Sequence, residues 1–158
     1  MWAHSPLKRA RPIIPGMDPR IVLSDKPDPV PLKEMFALLR SFNDAASGFA
    51  YDGEVLVLSL LHPETGEVLG GLYGSTGYGY LHLDMLYVPE SLRGTGLGRR
   101  LMRQAEAEAI RRGCHGAYLD TFDFQARGFY EKLGYTVFGT LEETPPGHRR
   151  FFLSKPLG

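Results

Sequence analysis

The sequence predicts one mixed α/β sheet, and three observations carry that expectation. Short apolar runs of alternating character recur between turn signals, and three segments read as helices. Their order is β, α, an antiparallel β run, then α, β, α, β, β, with no repeat or internal linker. At 158 residues, 43% hydrophobic and 23% charged, the chain suits one globular domain with a real core.

In chain order, Arg20–Ser24 is a short strand candidate. Residues 31–46 carry Leu32, Met35, Phe36, Leu39 and Phe42 at helical spacing, and Gly48 is the stop. Glu54–Leu61 and Glu67–Tyr73 flank the turn HPETG and read as a hairpin. Tyr78–Val88 is a longer strand, with Leu81, Leu83, Met85 and Tyr87 expected on one face and Tyr80, His82, Asp84 and Leu86 on the other. Leu97, Leu101, Ala105 and Ala109 then form the apolar stripe of an amphipathic helix, stopped at Gly113. Ala117–Thr121 is a strand, Phe124–Leu133 a short helix, and Tyr135–Thr140 and Arg150–Leu153 two further strands, about seven strands in all.

Composition bounds the function classes. Lys and Arg balance Asp and Glu at 18 each, so no net charge holds the chain on nucleic acid. A solitary cysteine, Cys114, excludes an internal disulfide, fits a reducing cytoplasm and reads as a structural thiol. No apolar run approaches the roughly 20 residues that cross a membrane. Residues 1–16, basic and rich in proline, lack the apolar segment of a secretory signal and read as an unstructured extension before a domain at 17–158. Histidines 4, 62, 115 and 148 show no metal-ligand spacing, so no metal is expected.

The stretch VPESLRGTGLGRRLM, residues 88–102, points to chemistry. Glycines at 94, 96 and 98 are costly before a helix that Ser, Thr, Asp or Asn would cap better. Bare amides at a helix N-terminus make an anion site, and Arg93 and Arg99 flank it with charge suited to phosphate oxygens. A P-loop would need Lys-Ser or Lys-Thr after the last glycine. A dinucleotide fingerprint would need glycine at 99 or 101, where Arg99 and Leu101 stand.

The pattern that fits is Arg93-x-x-Gly96-x-Gly98 between a strand ending LYVP and a long helix, which resembles the acetyl-CoA signature of the GNAT N-acetyltransferases. ARGFYEKLGY, residues 126–135, resembles the same family's late helix and following strand. The resemblance spans Arg20 to the C-terminus. It implies a GNAT fold with helices on both faces of the sheet, acetyl-CoA as co-substrate and, by family habit, a possible homodimer.

Residue by residue, the resemblance assigns the main chain of Leu86, Tyr87 and Val88 to the pantetheine arm. An N–H near Leu86 would hold the thioester carbonyl. It gives the amides of Gly94, Thr95, Gly96, Leu97, Gly98 and Arg99 to the pyrophosphate. Tyr130 matches the family's general acid. At Asp123 many relatives carry asparagine; aspartate cannot donate, and capping a helix that starts at Phe124 is its expected role.

The acceptor amine must lose a proton, and His82 and Asp84, four and two residues before Leu86, are the candidate bases. Histidine is tuned to neutral pH and aspartate to holding a cation. Solvent water is the third possibility. Asp44, Asp84, Glu142 and Glu143 suit a cationic amine, from a small amine or antibiotic to a protein lysine or N-terminus. A CoA-binding regulatory module without turnover is the alternative from another class.

Overall fold

The computed structural model describes residues 16–26 and 28–158. Apart from Gly16, the basic extension expected at residues 1–16 lies outside them. The chain divides into two compact units, one ending at Phe42 and one running from Asn43 to Gly158. Among the described residues no helix is long and apolar enough to cross a membrane.

Residues 20–24 form no strand. A strand exists through its ladder, and alternation in RIVLS cannot reveal whether a partner edge is available. The sheet therefore has six strands rather than the expected seven. Helix α1 spans Pro29–Ser47, slightly longer than the apolar spacing indicated. Its start is chemically plain: the Asp28 carboxylate accepts the Val30 N–H at 3.0 Å, and Pro29 occupies the first helical position, where it needs no donor.

The second unit holds β1 (Glu54–Leu61), β2 (Val68–Gly77), β3 (Tyr80–Tyr87), α2 (Leu97–Arg111), β4 (Gly116–Phe122), α3 (Arg127–Glu131), β5 (Thr136–Leu141) and β6 (Arg150–Pro156). The spatial order is β1-β2-β3-β4-β6-β5. β3 and β4 are parallel, and the other neighbours are antiparallel. The β2–β3 connection is tighter than expected. Tyr78 and Gly79 both take positive φ, 49° and 79°, which matches the type I′ turn that suits the twist of a two-residue hairpin.

One face of the sheet presents Leu56, Leu72, Leu81, Leu83, Ala117, Leu119, Phe151 and Leu153 to the core, which they share with Leu101, Met102, Ala105 and Ala109 of α2. The stripe read from the sequence thus shifts by one member, Met102 entering and Leu97 remaining half-exposed. Glu106 of α2 ties the far side of the sheet down, accepting the Tyr135 hydroxyl at 3.0 Å and the Lys155 ammonium at 2.8 Å.

The β2–β3 ladder slips between Tyr73 and Gly74: Tyr73 opposes Met85, but Gly74 opposes Leu83. Asp84 is the extra residue, and such a bulge reverses the facing of the residues beyond it. Leu81 and Leu83 lie in the core, and beyond Asp84 it is Leu86 and Val88 that pack against it, while Met85 and Tyr87 are exposed. The uniform alternation expected along Tyr78–Val88 is therefore corrected at one position. Gly74 makes the bulge possible, because a Cβ there would collide with the His82 carbonyl oxygen. Gly74→Ala should cost about 1–3 kcal/mol, as overpacking against fixed backbone does. Thermal unfolding checks it; an unchanged Tm would contradict the bulge argument.

Candidate functional site

β3 and β4 pair over four residues, Tyr80 with Gly116 through Leu83 with Leu119, and then part. From Asp84 on β3 and Asp120 on β4 the strands carry no ladder to each other. The wedge between them opens into a groove of about 810 Å³. Its walls include Asp84, Leu86 and Tyr87 from β3 and Val88 just after it, Asp120 and Thr121 from β4, and Ala126, Phe129 and Tyr130 around α3. The main chain of β3 faces it at the expected place. A Cβ on Gly70 would meet the Tyr87 carbonyl oxygen at 2.5 Å, so that oxygen points toward β2. By strand alternation the peptide groups of Leu86 then point the other way, into the wedge.

The loop at 93–96 and the start of α2 close one end, with Arg93, Gly94, Gly96, Leu97, Gly98 and Arg99 all lining the groove. Thr95 does not line it; its hydroxyl donates to the Leu92 carbonyl at 2.6 Å and fixes the loop. Arg93 is partly committed as well, its Nε donating to the Val88 carbonyl at 3.0 Å and bracing the strand end against the loop. Gly96 is the N-cap residue at φ 86°, a left-handed conformation that favours glycine, and it offers no side-chain cap. The first helical bond runs from the Arg100 N–H to the Gly96 carbonyl at 3.0 Å. The amides of Leu97, Gly98 and Arg99 have no acceptor among the described residues. The helix forgoes roughly 1 kcal/mol of capping and keeps its positive end open to an anion. Gly98 also has a packing use that was not expected, because a Cβ there would stand 3.2 Å from the Phe129 ring. It lets α2 approach α3.

Tyr130 sits on α3 with its ring edge-on to Phe129 and Tyr135. Its hydroxyl makes no hydrogen bond among the described residues. Burial, and then the charge of Asp120, push the phenol up to about 12. Asp120 is a groove carboxylate that the sequence did not single out; it accepts Arg150 Nε at 2.6 Å. Its place on β4, opposite the bulge, becomes visible only once the strands are seen to part.

His82 and Asp84 come together. Nδ1 of His82 stands 3.3 Å from Asp84 Oδ1, and the imidazole stacks on the Tyr118 ring at 4.4 Å and 11°. Asp84 lines the groove; His82 stands just behind it, at the last paired rungs. The other expected acceptor carboxylates are not gathered here. Asp44 accepts the Tyr51 N–H at 2.9 Å, and Glu143 accepts the Gly147 N–H at 3.0 Å within the β5–β6 loop. Glu142 is an exposed residue of that loop.

Asp123 does not cap a helix at Phe124. The Gln125 side chain takes the Phe122 N–H at 2.9 Å and closes a turn there, so α3 starts later, at Arg127. The Asp123 carboxylate instead accepts the Arg149 N–H at 3.0 Å and meets His148 Nδ1 at 2.9 Å. Burial alone would raise its pKa, but the Arg149 N–H and the His148 ring outweigh burial and hold it below the ordinary 3.8. A second cavity of about 200 Å³ lies at the opposite end of α2, lined by Asp52, Glu54, Arg112 and Cys114. Burial, and then Asp52, push the Cys114 thiol up, in keeping with an unreactive structural cysteine.

Comparison with known proteins decides the family. Residues 21–135 match the model of the acetyltransferase (GNAT) family. The chain belongs to the GNAT acetyltransferase family. It is 44% identical over 95 residues to a blasticidin-S acetyltransferase of Streptomyces morookaense, covering 60% of this chain and 70% of that one. It is 37% identical over 134 residues to an acetyltransferase of Agrobacterium fabrum, covering 85% and 96%. A crystal structure of an acetyltransferase from Bacillus cereus superimposes with a TM-score of 0.74 at 30% identity, covering 86% of this chain and 98% of that one. As in a GNAT enzyme, the site is built on one sheet whose central strands part.

The Asp123 contacts fix how the β5–β6 loop responds to acid. A carboxyl depressed on folding stabilises above its unfolded value and loses that contribution as pH falls through the folded one. Hydrogen exchange at the Arg149 and Thr144 amides should therefore speed up as pH drops below 3.8 beyond the intrinsic trend, and Asp123→Ala should speed it already at neutral pH. Unchanged protection in the variant would show that the loop is held by other contacts.

Proposed function

We propose that the protein is an N-acetyltransferase that moves an acetyl group from acetyl-CoA to a primary amine by direct attack in a ternary complex. The observation that supports this best is the conjunction, in one groove, of unpaired β3 main chain, uncapped α2 amides and the unbonded Tyr130 hydroxyl. Acetyl-CoA supplies the acetyl group as a thioester. The amides of Leu97, Gly98 and Arg99, with Arg93 and Arg99, receive the pyrophosphate, and Val88, Tyr87 and Leu86 pair with the pantetheine as an added strand would. The Leu86 main chain then faces the thioester end, beside the bulge.

The amine nitrogen forms the new C–N bond, and the sulfur leaves with the electron pair of the broken C–S bond. Two protons leave nitrogen, one to a base before attack and one that ends on sulfur. Tyr130 serves the sulfur. Full transfer from a phenol at about 12 to a thiolate whose thiol titrates at ~8.5 is uphill by on the order of 5 kcal/mol, so its main contribution is a hydrogen bond that stabilises the departing thiolate. His82 receives the amine proton, histidine being the side chain suited to proton transfer near neutral pH. A small cationic amine of antibiotic type is the acceptor that the relative from Streptomyces and the Asp84 carboxylate favour together.

An amine panel that includes blasticidin S, with CoA thiol release and product mass as readouts, tests the proposal. Acetylated amine with matching thiol release is expected; CoA binding without acetylation of any amine would leave a binding module instead. Tyr130→Phe should keep acetyl-CoA affinity and lower kcat by roughly 10²–10⁴-fold. An unchanged kcat with chemistry limiting would reduce Tyr130 to packing. Gly96→Val should weaken acetyl-CoA binding in calorimetry, because the left-handed turn that presents the amides cannot hold a β-branched residue. Wild-type affinity in a folded variant would refute the phosphate cradle.

A further inference from the structure

We infer that Asp84 and Tyr118 are positioning residues for His82, Tyr118 holding the plane of the ring and Asp84 favouring the tautomer with Nδ1 protonated toward it and Nε2 bare for the proton of the acceptor amine. This rests on the acetyl-transfer reading above and deepens it, since the sequence offered His82 and Asp84 as competing bases and Tyr118 as ordinary strand.

The bulge carries the inference. On a regular strand, residues two apart stand side by side along one face, each equally open to an acceptor. Here Asp84 is the unpaired extra residue, and its carboxylate turns back to His82 Nδ1 at 3.3 Å. At 3.3 Å this is an ion-pair approach rather than an aligned hydrogen bond, and beside a carboxylate, which only accepts, the tautomer that carries its proton on Nδ1 is the one favoured. The second nitrogen of the neutral ring is then an acceptor, and Nε2 has no partner among the described residues. Tyr118 supplies the other constraint. It opposes His82 in the parallel register, and its ring lies within 11° of parallel to the imidazole, so the stack holds the plane of the His82 ring. The groups that bear on the pair are Asp84 from β3, Tyr118 and its neighbour Tyr80 from β4 and β3, and Tyr51 from the segment before β1. On β2 the register partner of His82 is Ser75, which is uncharged. Burial first, and then Asp84 and Tyr51, push the Tyr118 phenol up, so it stays neutral beside the ring.

His82 and Tyr118 occupy the last rung but one before the strands part, and Asp84 lines the groove two residues beyond His82. An ammonium arriving at the thioester end passes its proton to Nε2, and the Asp84 charge offsets the imidazolium that results. In proton transfer Asp84 then acts through His82 rather than as the base itself, its charge still favouring a cationic acceptor, which removes the need for a carboxyl raised toward neutral pH.

The test is long-range ¹H–¹⁵N correlation spectroscopy of the histidine rings in the full chain at pH 8.5, above the ordinary imidazole value of about 6.5. His82→Gln assigns the His82 signals among the five histidines. The expected result is a protonated Nδ1 and a bare Nε2 in His82, reversed or averaged in Asp84→Ala. Tyr118→Phe should retain the pattern and the upfield ring-current shift, and Tyr118→Leu should lose that shift and broaden the ring signals. A protonated Nε2 in the wild type overturns the inference, even in an enzyme that acetylates amines. An unchanged tautomer in Asp84→Ala, or unchanged ring signals in Tyr118→Leu, removes the corresponding residue from the role. Because the readout needs no turnover, failure of the amine panel and failure of the positioning role are separate results.

Discussion

Everything at this site depends on the parallel β3–β4 ladder ending after Leu83 and Leu119. Backbone groups at the centre of a sheet are ordinarily consumed by neighbouring strands, and leaving them unpaired in a dry interior would cost about 1–3 kcal/mol each. Parting the strands leaves those groups facing an open groove, the surface proposed to receive acetyl-CoA. The Leu86 peptide faces a groove in which an extended ligand can replace the missing strand. The same parting places Asp120 and Tyr130 on one wall and Asp84 on the other.

The bulge at Asp84 and the uncapped start of α2 are two adaptations to this arrangement. Extra backbone at Asp84 keeps Leu86 and Val88 on the core, so the strand bends away from β4 without giving up its apolar contacts. The open helix end supplies amides, and Arg93 joins loop to strand through the Val88 carbonyl. Local regularity is surrendered at both places. Stability comes from elsewhere, from the close fit of Ala105 and Ala109 beneath the sheet and from the Glu106 contacts to Tyr135 and Lys155.

Most of the fold was legible in the sequence because its signals were local. Alternation marked Glu54–Leu61 correctly, and helical spacing marked α1 and α2. The glycine loop was legible for the same reason: bare amides before a helix have few uses. What the sequence could not reveal was pairing. RIVLS has the composition of a strand and no ladder. The bulge is invisible until β2 and β3 are paired: Gly74 then opposes Leu83, Asp84 is left as the extra residue, and the face reversal between Leu83 and Leu86 follows. Asp123 was misjudged because its partners, His148 and Arg149, arrive from a loop twenty-five and more residues away. Asp120 and Tyr118 were passed over because the face of a strand becomes a wall only when its neighbour departs.

The central claim is that this wedge, and not the cavity beside Cys114, receives CoA. Amide chemical shifts recorded as CoA is titrated into the labelled full chain test it most directly. The largest changes should fall on Leu97, Gly98 and Arg99, with a second group at Leu86 to Val88. Changes centred on Asp52, Arg112 and Cys114, with those amides unmoved, would contradict the account.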